Sequence, residues 1–253
     1  MPEFTDRSVL VTGGSRGIGA AIATHLAARG ARVAVAFQRD RDAADQTRAA
    51  LKGEGHIVLQ ADVASGSEAK ALVEQCISEF GQLDIVVNNA GVFSAHPIAA
   101  VSFEEWQSAW RSTLDTNLVG PANVSYAAAR HMIERGHGKI VNVSSRGAFR
   151  GEPDAPAYGA SKAGLNALTQ SLAVALAPHG VFVAAVAPGF VDTDMAASSL
   201  VGETGDGIRR QSPLGRVGRA AEVAKAVAFL ASDDIDFVTG AIVDVNGASY
   251  LRS

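Results

Sequence analysis

Between residues 8 and 30 a short apolar run passes through a glycine cluster into a helical pattern, and few folds accept that order. Residues 8–12 have the length and apolarity of a buried strand, and residues 18–29 then repeat their apolar positions with helical period until Gly30 stops them. The link is Thr12-Gly13-Gly14-Ser15-Arg16-Gly17-Ile18-Gly19. Glycines in such a turn permit a tight bend and close approach to the main chain. The helix that follows offers unpaired N–H groups and a positive dipole end to a phosphate. The Lys-Ser/Thr pair of a nucleotide-triphosphate loop is missing, so the turn is read as a dinucleotide site.

The same alternation continues. Apolar runs at 32–37, 57–60, 83–87, 139–143, 181–187 and 241–245 read as strands, and residues 40–51, 67–80, 102–135, 157–177 and 220–231 as helices. Ser67 is expected to cap the third helix, and the long 102–135 stretch to break near Gly120-Pro121. Strands alternating with helices predict an α/β domain, a doubly wound, mainly parallel seven-stranded sheet covered on both faces. With 253 residues and no linker-like stretch the chain reads as a single domain, 1–253. Residues 190–212 lack a steady period and are expected to form a mobile substrate lid.

Composition narrows the function. A formal net charge of -4 without a basic cluster argues against nucleic acid or an anionic membrane. The single Cys76 cannot form an internal disulfide, which suits a reducing compartment. Residues 1–7 lack the basic-then-apolar order of a leader, and no apolar run approaches 18 residues, so a cytoplasmic protein is expected. The six histidines are scattered, and no metal site is expected.

Tyr158 and Lys162 stand four residues apart on the helix at 157–177, on one face. An ammonium ~5 Å from a phenol, at an effective dielectric of ~20, would favour the phenolate by ~3 kcal/mol, enough to make it a workable acid or base. Two hydrolase readings fail. Gly159-Ala160-Ser161-Lys162-Ala163 lacks both the last glycine and the preceding strand of a nucleophile elbow, and Ser67-Glu68-Ala69-Lys70 lacks the partner motifs of Ser-x-x-Lys enzymes.

Taken together these stretches resemble the short-chain dehydrogenase/reductase family over essentially the whole chain, with closest resemblance to 3-oxoacyl-acyl-carrier-protein reductases. The matching segments are Thr12 to Gly19, Asp62-Val63, Asn88-Asn89-Ala90-Gly91, Asn117, Ser145, Tyr158 with Lys162, and Pro188-Gly189 followed by Val191 and Thr193. The resemblance implies a Rossmann fold and hydride transfer with NADP(H) or NAD(H). It implies a catalytic set of Asn117, Ser145, Tyr158 and Lys162. Ser145 would hold the substrate oxygen, Tyr158 would donate or accept its proton, and Lys162 would bind the nicotinamide ribose and lower the phenol pKa. Asn117 would kink its helix and hold a water.

The cofactor would lie on Gly13, Ser15, Arg16, Gly17, Ile18 and Gly19, on Gln38 and Arg39, and on Asp62 and Val63. Asn89, Ala90, Gly91, Tyr158, Lys162, Pro188, Gly189, Val191 and Thr193 would complete its contacts. Where an acidic residue would select NAD, this chain has Gln38-Arg39, and Arg16 is nearby, so NADP(H) is expected. The family's habit implies a homotetramer, and the small residues of the 157–177 helix allow such a contact. The partner is expected to be a ketone or secondary alcohol, with an acyl thioester among the options. If an acidic carrier protein docks, Arg130, Arg135 and Lys139 could supply the cations; Arg146 or Arg150 could meet an anionic substrate group.

Overall fold

The computed structural model describes residues 3–252. Met1 and Pro2, the start of the stretch read as lacking a leader, and Ser253 lie outside the described residues.

The elements run β1 (Ser8–Val11), α1 (Gly17–Ala27), β2 (Arg32–Phe37), α2 (Arg41–Ala50), β3 (Ile57–Gln60), α3 (Gly66–Phe80) and β4 (Ile85–Asn88). Then come α4 (Phe103–Leu114), α5 (Gly120–Arg135), β5 (Gly138–Val143), α6 (Pro156–Leu176) and β6 (Val181–Pro188). The chain ends through β7 (Val191–Asp192), α7 (Gly202–Arg210), β8 (Gly218–Arg219), α8 (Ala220–Ala231) and β9 (Ile242–Val245). Seven strands form one sheet in the order β3-β2-β1-β4-β5-β6-β9, every pair parallel, while β7 and β8 make a separate parallel pair. Chain order reverses between β1 and β4, and in such sheets ligands bind at the carboxyl ends of the strands beside that switch.

Strand alternation divides the core. Val9, Val11, Val33, Val35, Val141 and Val143 point to one face, packed with Ile22 and Leu26 of α1 and Val223 and Val227 of α8. Leu10, Ala34, Ala36, Val86, Ile140 and Val183 point to the other, against Leu72 and Cys76 of α3 and Val124, Ala128 and Met132 of α5. Both faces are covered, which is why the strands read as nearly unbroken apolar runs. No helix among the described residues is long and apolar enough to cross a membrane.

Three local expectations are corrected. Ser65, not Ser67, caps α3: its hydroxyl accepts the Glu68 N–H, and the Glu68 carboxylate reaches back to the Asp62 N–H at 2.9 Å. Glutamate three residues after Ser65 favours that frame. The 102–135 stretch does not break at Gly120-Pro121. It passes through a π-helical turn at Asp115–Val119 and continues directly into α5, with Pro121 just after the junction. Residues 190–212 are more regular than expected, with β7, a 3-10 turn at Ala197–Leu200 and α7. A Cβ on Gly205 would stand 2.2 Å from the Leu200 carbonyl oxygen, so the glycines that obscure the helical period let α7 fold onto that turn.

Candidate active site

The glycine turn leaves β1 and enters α1. Arg16 at the N-cap is extended and its side chain caps nothing, which leaves the first N–H groups of α1 without a capping side chain. Gly17 has φ +56°, and a Cβ on Gly19 would lie 2.1 Å from the Gly13 carbonyl oxygen and 2.5 Å from Asn89 Nδ2. Only glycine fits there. The turn is braced from β4, since Asn89 Nδ2 donates to Thr12 O and Gly13 O, and Thr12 Oγ1 accepts the N–H groups of Asn89 and Ala90. From the other side, Thr193 Cγ2 would be 3.4 Å from a Cβ on Gly17. This cradle of close main chain and free N–H groups fits a dinucleotide pyrophosphate.

The remaining positions expected to meet a cofactor border the same sheet edge. Ser15 O accepts a hydrogen bond from Thr47, and Ile18 packs on the core beneath the turn. Gln38 and Arg39 follow β2 and are exposed, as is Arg16. Asp62 Oδ1 accepts the Ala64 N–H in a tight turn, and buried Val63 lies against Gly120. Pro188 ends β6, Gly189 abuts Asn246, and Val191 is buried in the core.

The expected tetrad converges at the end of β5. Asn117, fully buried in the π turn, accepts the Val92 N–H on Oδ1 at 2.8 Å and donates from Nδ2 to Val92 O and Ser161 Oγ. Ser161 Oγ donates in turn to Tyr158 O. Lys162 Nζ donates to Val143 O at 2.9 Å, and Gly91 sits against both Asn117 Oδ1 and Lys162 Nζ. Ser145 follows β5, and its hydroxyl accepts the Gly147 N–H at 2.9 Å.

The electrostatics correct one expectation. Lys162 Nζ lies 5.9 Å from the Tyr158 ring centroid and is held by the Val143 carbonyl, and desolvation of the phenol outweighs the pull of that charge. Burial dominates both groups. The phenol is pushed up by desolvation, with the Ser145 hydroxyl drawing it partly back and the Glu152 charge raising it; desolvation brings Lys162 down to about 8. The phenol is therefore protonated at neutral pH.

Two neighbours were not visible in the sequence. Phe93, 46% exposed, stands edge-on to Tyr158 with centroids 5.1 Å apart, and makes an apolar wall beside the phenol. Buried His96 caps α6 from a distance: Ala155 at the N-cap has no capping side chain, and His96 Nε2 accepts the Ala157 N–H at 3.2 Å while Nδ1 faces Ser94 O at 2.8 Å. This arrangement places the ring proton on Nδ1. His96→Ala should cost about 0.5–2 kcal/mol in urea melts, the range for a lost cap. His96→Gln, whose amide oxygen reaches the same N–H, should recover most of it; an unchanged melt for the alanine variant would refute the cap.

Six residues of the loop expected to line the substrate pocket, Gly147, Ala148, Arg150, Gly151, Glu152 and Pro153, border a cavity of about 470 Å³ with Pro156, Gly159, Ala160 and Ala163 of α6, but Ser145, Tyr158 and Lys162 do not line it. Arg146 is neither a solvated charge nor an open substrate contact. It is 3% exposed, donates to Gln211 Oε1 and Ser249 Oγ, and lies over the Phe190 ring. Arg150 also reaches Gln211 Oε1, at 3.3 Å. The carrier-docking cations are corrected as well. Arg135 pairs with Asp84 at 3.0 Å, and Lys139, 3% exposed, pairs with Asp236, both near the amino ends of β4 and β5, opposite the tetrad. Arg130 is exposed.

Hydride exchange with CH–OH or C=O groups, carried by a nicotinamide nucleotide, is the chemistry of the class to which this arrangement assigns the chain: NAD(P)-dependent oxidoreductases. A family model described as enoyl-(acyl carrier protein) reductase matches residues 13–248. The 3-oxoacyl-[acyl-carrier-protein] reductase FabG of Staphylococcus aureus (strain Mu50) is 39% identical over 97% of this chain and 98% of its own length. Its counterpart in Escherichia coli (strain K12) is 39% identical over 98% and 99%. The cis-4-hydroxycyclohexanecarboxylate dehydrogenase of Sinomonas cyclohexanicum is 42% identical over 96% of each chain. The crystal structure of gox2181 superposes with a TM-score of 0.90 at 34% identity, over 97% of this chain and 96% of that one. The chain belongs to the short-chain dehydrogenase/reductase family and is an oxidoreductase similar to the 3-oxoacyl-[acyl-carrier-protein] reductases.

Proposed function

We propose that the protein is an NADPH-dependent reductase of a ketone, a 3-oxoacyl thioester or another small ketone, with Tyr158 as proton donor. The observation that carries this reading is the meeting of a protonated, desolvated phenol, the Ser145 hydroxyl and the Lys162 ammonium beside the glycine turn. A dinucleotide held by its pyrophosphate at that turn would supply the hydride from its nicotinamide. Ser145 would hold the carbonyl oxygen, and Tyr158 would deliver a proton to it as negative charge develops. Lys162 would hold the nicotinamide ribose hydroxyls. Asn117 fixes the Gly91-Val92 main chain that borders the site. The 190–212 segment, with exposed Met195, would form the apolar lid over the substrate.

NADPH is preferred in this reading because no ion pair engages Arg39 or Arg16 among the described residues, while Asp40, beside Arg39, is spent accepting the Ala43 N–H. Both guanidiniums are free for a 2′-phosphate. Arg39→Ala should raise the Kd for NADPH about tenfold or more, the worth of one charged hydrogen bond, and leave that for NADH nearly unchanged. Equal effects in fluorescence titrations would remove the argument.

Two of the three cations proposed for an acidic carrier are paired at the far end of the sheet, which favours a small ketone or a free thioester over a carrier-bound one. The reverse reaction, oxidation of a secondary alcohol, is the second reading, supported by the likeness to the Sinomonas dehydrogenase. A tetramer would form through α5 and α6, which expose Tyr126 and Val174. The test is initial-rate NADPH oxidation, with NADH alongside, against acetoacetyl thioesters and a panel of linear and cyclic ketones. Turnover of any of these with NADPH favoured supports the proposal. Silence on all with tight NADPH binding would point instead to a non-catalytic NADP(H)-sensing binder.

A further inference from the structure

Beneath the α7 segment, away from Tyr158, lies a cavity of about 160 Å³, far above the ~10–15 Å³ that one water needs on the same measure. Its walls come from five parts of the chain: the loop after β5, the turn between β6 and β7, the end of α7 with the turn after it, β8 with the start of α8, and the end of β9 with the residues that follow. Arg146 is the most buried charge in that wall, at 3% exposure. A buried guanidinium ordinarily has a carboxylate partner, because taking the charge out of water otherwise costs several kcal/mol. Arg146 has none within 4.0 Å among the described residues. Its hydrogen-bond acceptors are the neutral Gln211 amide and Ser249 hydroxyl, both reached from the one nitrogen Nη1, and its guanidinium carbon lies 5.3 Å from the Phe190 centroid.

The two carboxylates in the same wall are already committed. Glu222 is held by both terminal nitrogens of Arg216, at 2.9 and 2.7 Å, and Asp244 by Arg252 Nε at 2.7 Å. The Arg216 hydrogen bonds bring the Glu222 carboxyl down to about 2, so it stays ionised and paired rather than turning to Arg146. Burial pushes the Arg146 pKa down and the Arg150 charge pushes it further, with Glu152 alone opposing. Two cations in the wall, buried Arg146 and exposed Arg219, have no carboxylate within 4.0 Å among the described residues, and only Arg146 is out of water.

The geometry points to a binding site for a small oxyanion, a carboxylate or a phosphate, in this cavity, with Arg146 as its anchor. The anion would accept from the guanidinium N–H groups that Gln211 and Ser249 do not use. It would thereby fasten three segments to one another: the loop that begins at Ser145, the end of α7, and the chain after β9.

Thermal melts of the NADP-saturated protein test this, since the bound cofactor keeps added phosphate from the glycine turn. Sodium acetate and inorganic phosphate are titrated separately against sodium chloride at constant ionic strength. A Tm rise that saturates with either ion is expected, and which ion produces it identifies the carboxylate or the phosphate. Arg146→Met replaces the unpaired charge with an apolar chain of similar reach, and should weaken the apparent affinity by about tenfold or more. Ser249→Asp places a carboxylate beside Nη1 of Arg146, so it should melt higher in chloride and lose the response. No saturable rise in the wild type would overturn the site, and so would a wild-type response in either variant. Should Arg146→Met fail to fold, Ser249→Asp decides.

Discussion

Tyr158→Phe should lower turnover about 10²–10⁴-fold, the range for removing a general acid, while cofactor affinity and Tm stay within error. Phenylalanine fills the same volume and keeps the edge-on contact with Phe93, and Tyr158 accepts the Ser161 hydroxyl through its main-chain carbonyl, which the substitution leaves in place. Only the phenol hydroxyl is lost. The comparison is initial rates against cofactor Kd on the same preparation. Near-normal turnover in the variant would remove Tyr158 from the chemistry.

The largest stability effect is expected far from that site. Asp84, fully buried between β1 and β4, accepts the Ser8 N–H at 2.8 Å, the Ser8 hydroxyl at 3.0 Å and the Gln82 amide at 2.9 Å, and stands 3.0 Å from Arg135 and 3.8 Å from Arg7. Removing one partner of a buried pair typically costs about 3–5 kcal/mol, so Asp84→Ala should lose that much in urea melts. Burial by itself raises the Asp84 pKa, but the Ser8 N–H, the Arg135 side chain and the Ser8 hydroxyl together more than offset it, and the carboxyl titrates below its ordinary value. Stability from this group is then complete above the unfolded pKa of ~3.9 and is lost as pH falls through the lower folded value. Asp84→Ala should show a flatter decline in that acid range. The same slope in both proteins would mean that other carboxylates govern acid unfolding.

Much of this architecture was legible because it is local. Apolar runs gave all seven strands of the main sheet, and the glycine turn and the Tyr158–Lys162 spacing placed the site on β1, α1 and α6. What escaped was set by distance along the chain or by ångström-scale geometry. Four-residue spacing brings Lys162 to Tyr158 but does not say that Val143 O will hold its ammonium, nor that desolvation will outweigh the charge. His96 reads as a loop histidine until the loop folds over Ala157. Arg146 is buried by Phe190, Gln211 and Ser249, each more than forty residues away in sequence. The helical period of 202–210 is hidden by three glycines. The misplacement of Arg135 and Lys139 was avoidable. Both precede or open β5, and a residue at the start of a parallel strand lies at the end opposite the chemistry.

That polarity of the sheet matters to anyone wishing to redesign the enzyme. The ionic knot of Arg7, Asp84, Arg135 and Asp233 sits at one rim, while Phe93, the 146–154 loop and the 190–212 segment sit at the other. Libraries that randomise the second rim for new ketones should spend little of the scaffold's tolerance, because the residues they vary share no partner with the knot. The exception is the hinge of Arg146, Gln211 and Ser249, where exchanging one segment without the other two would strand a buried charge.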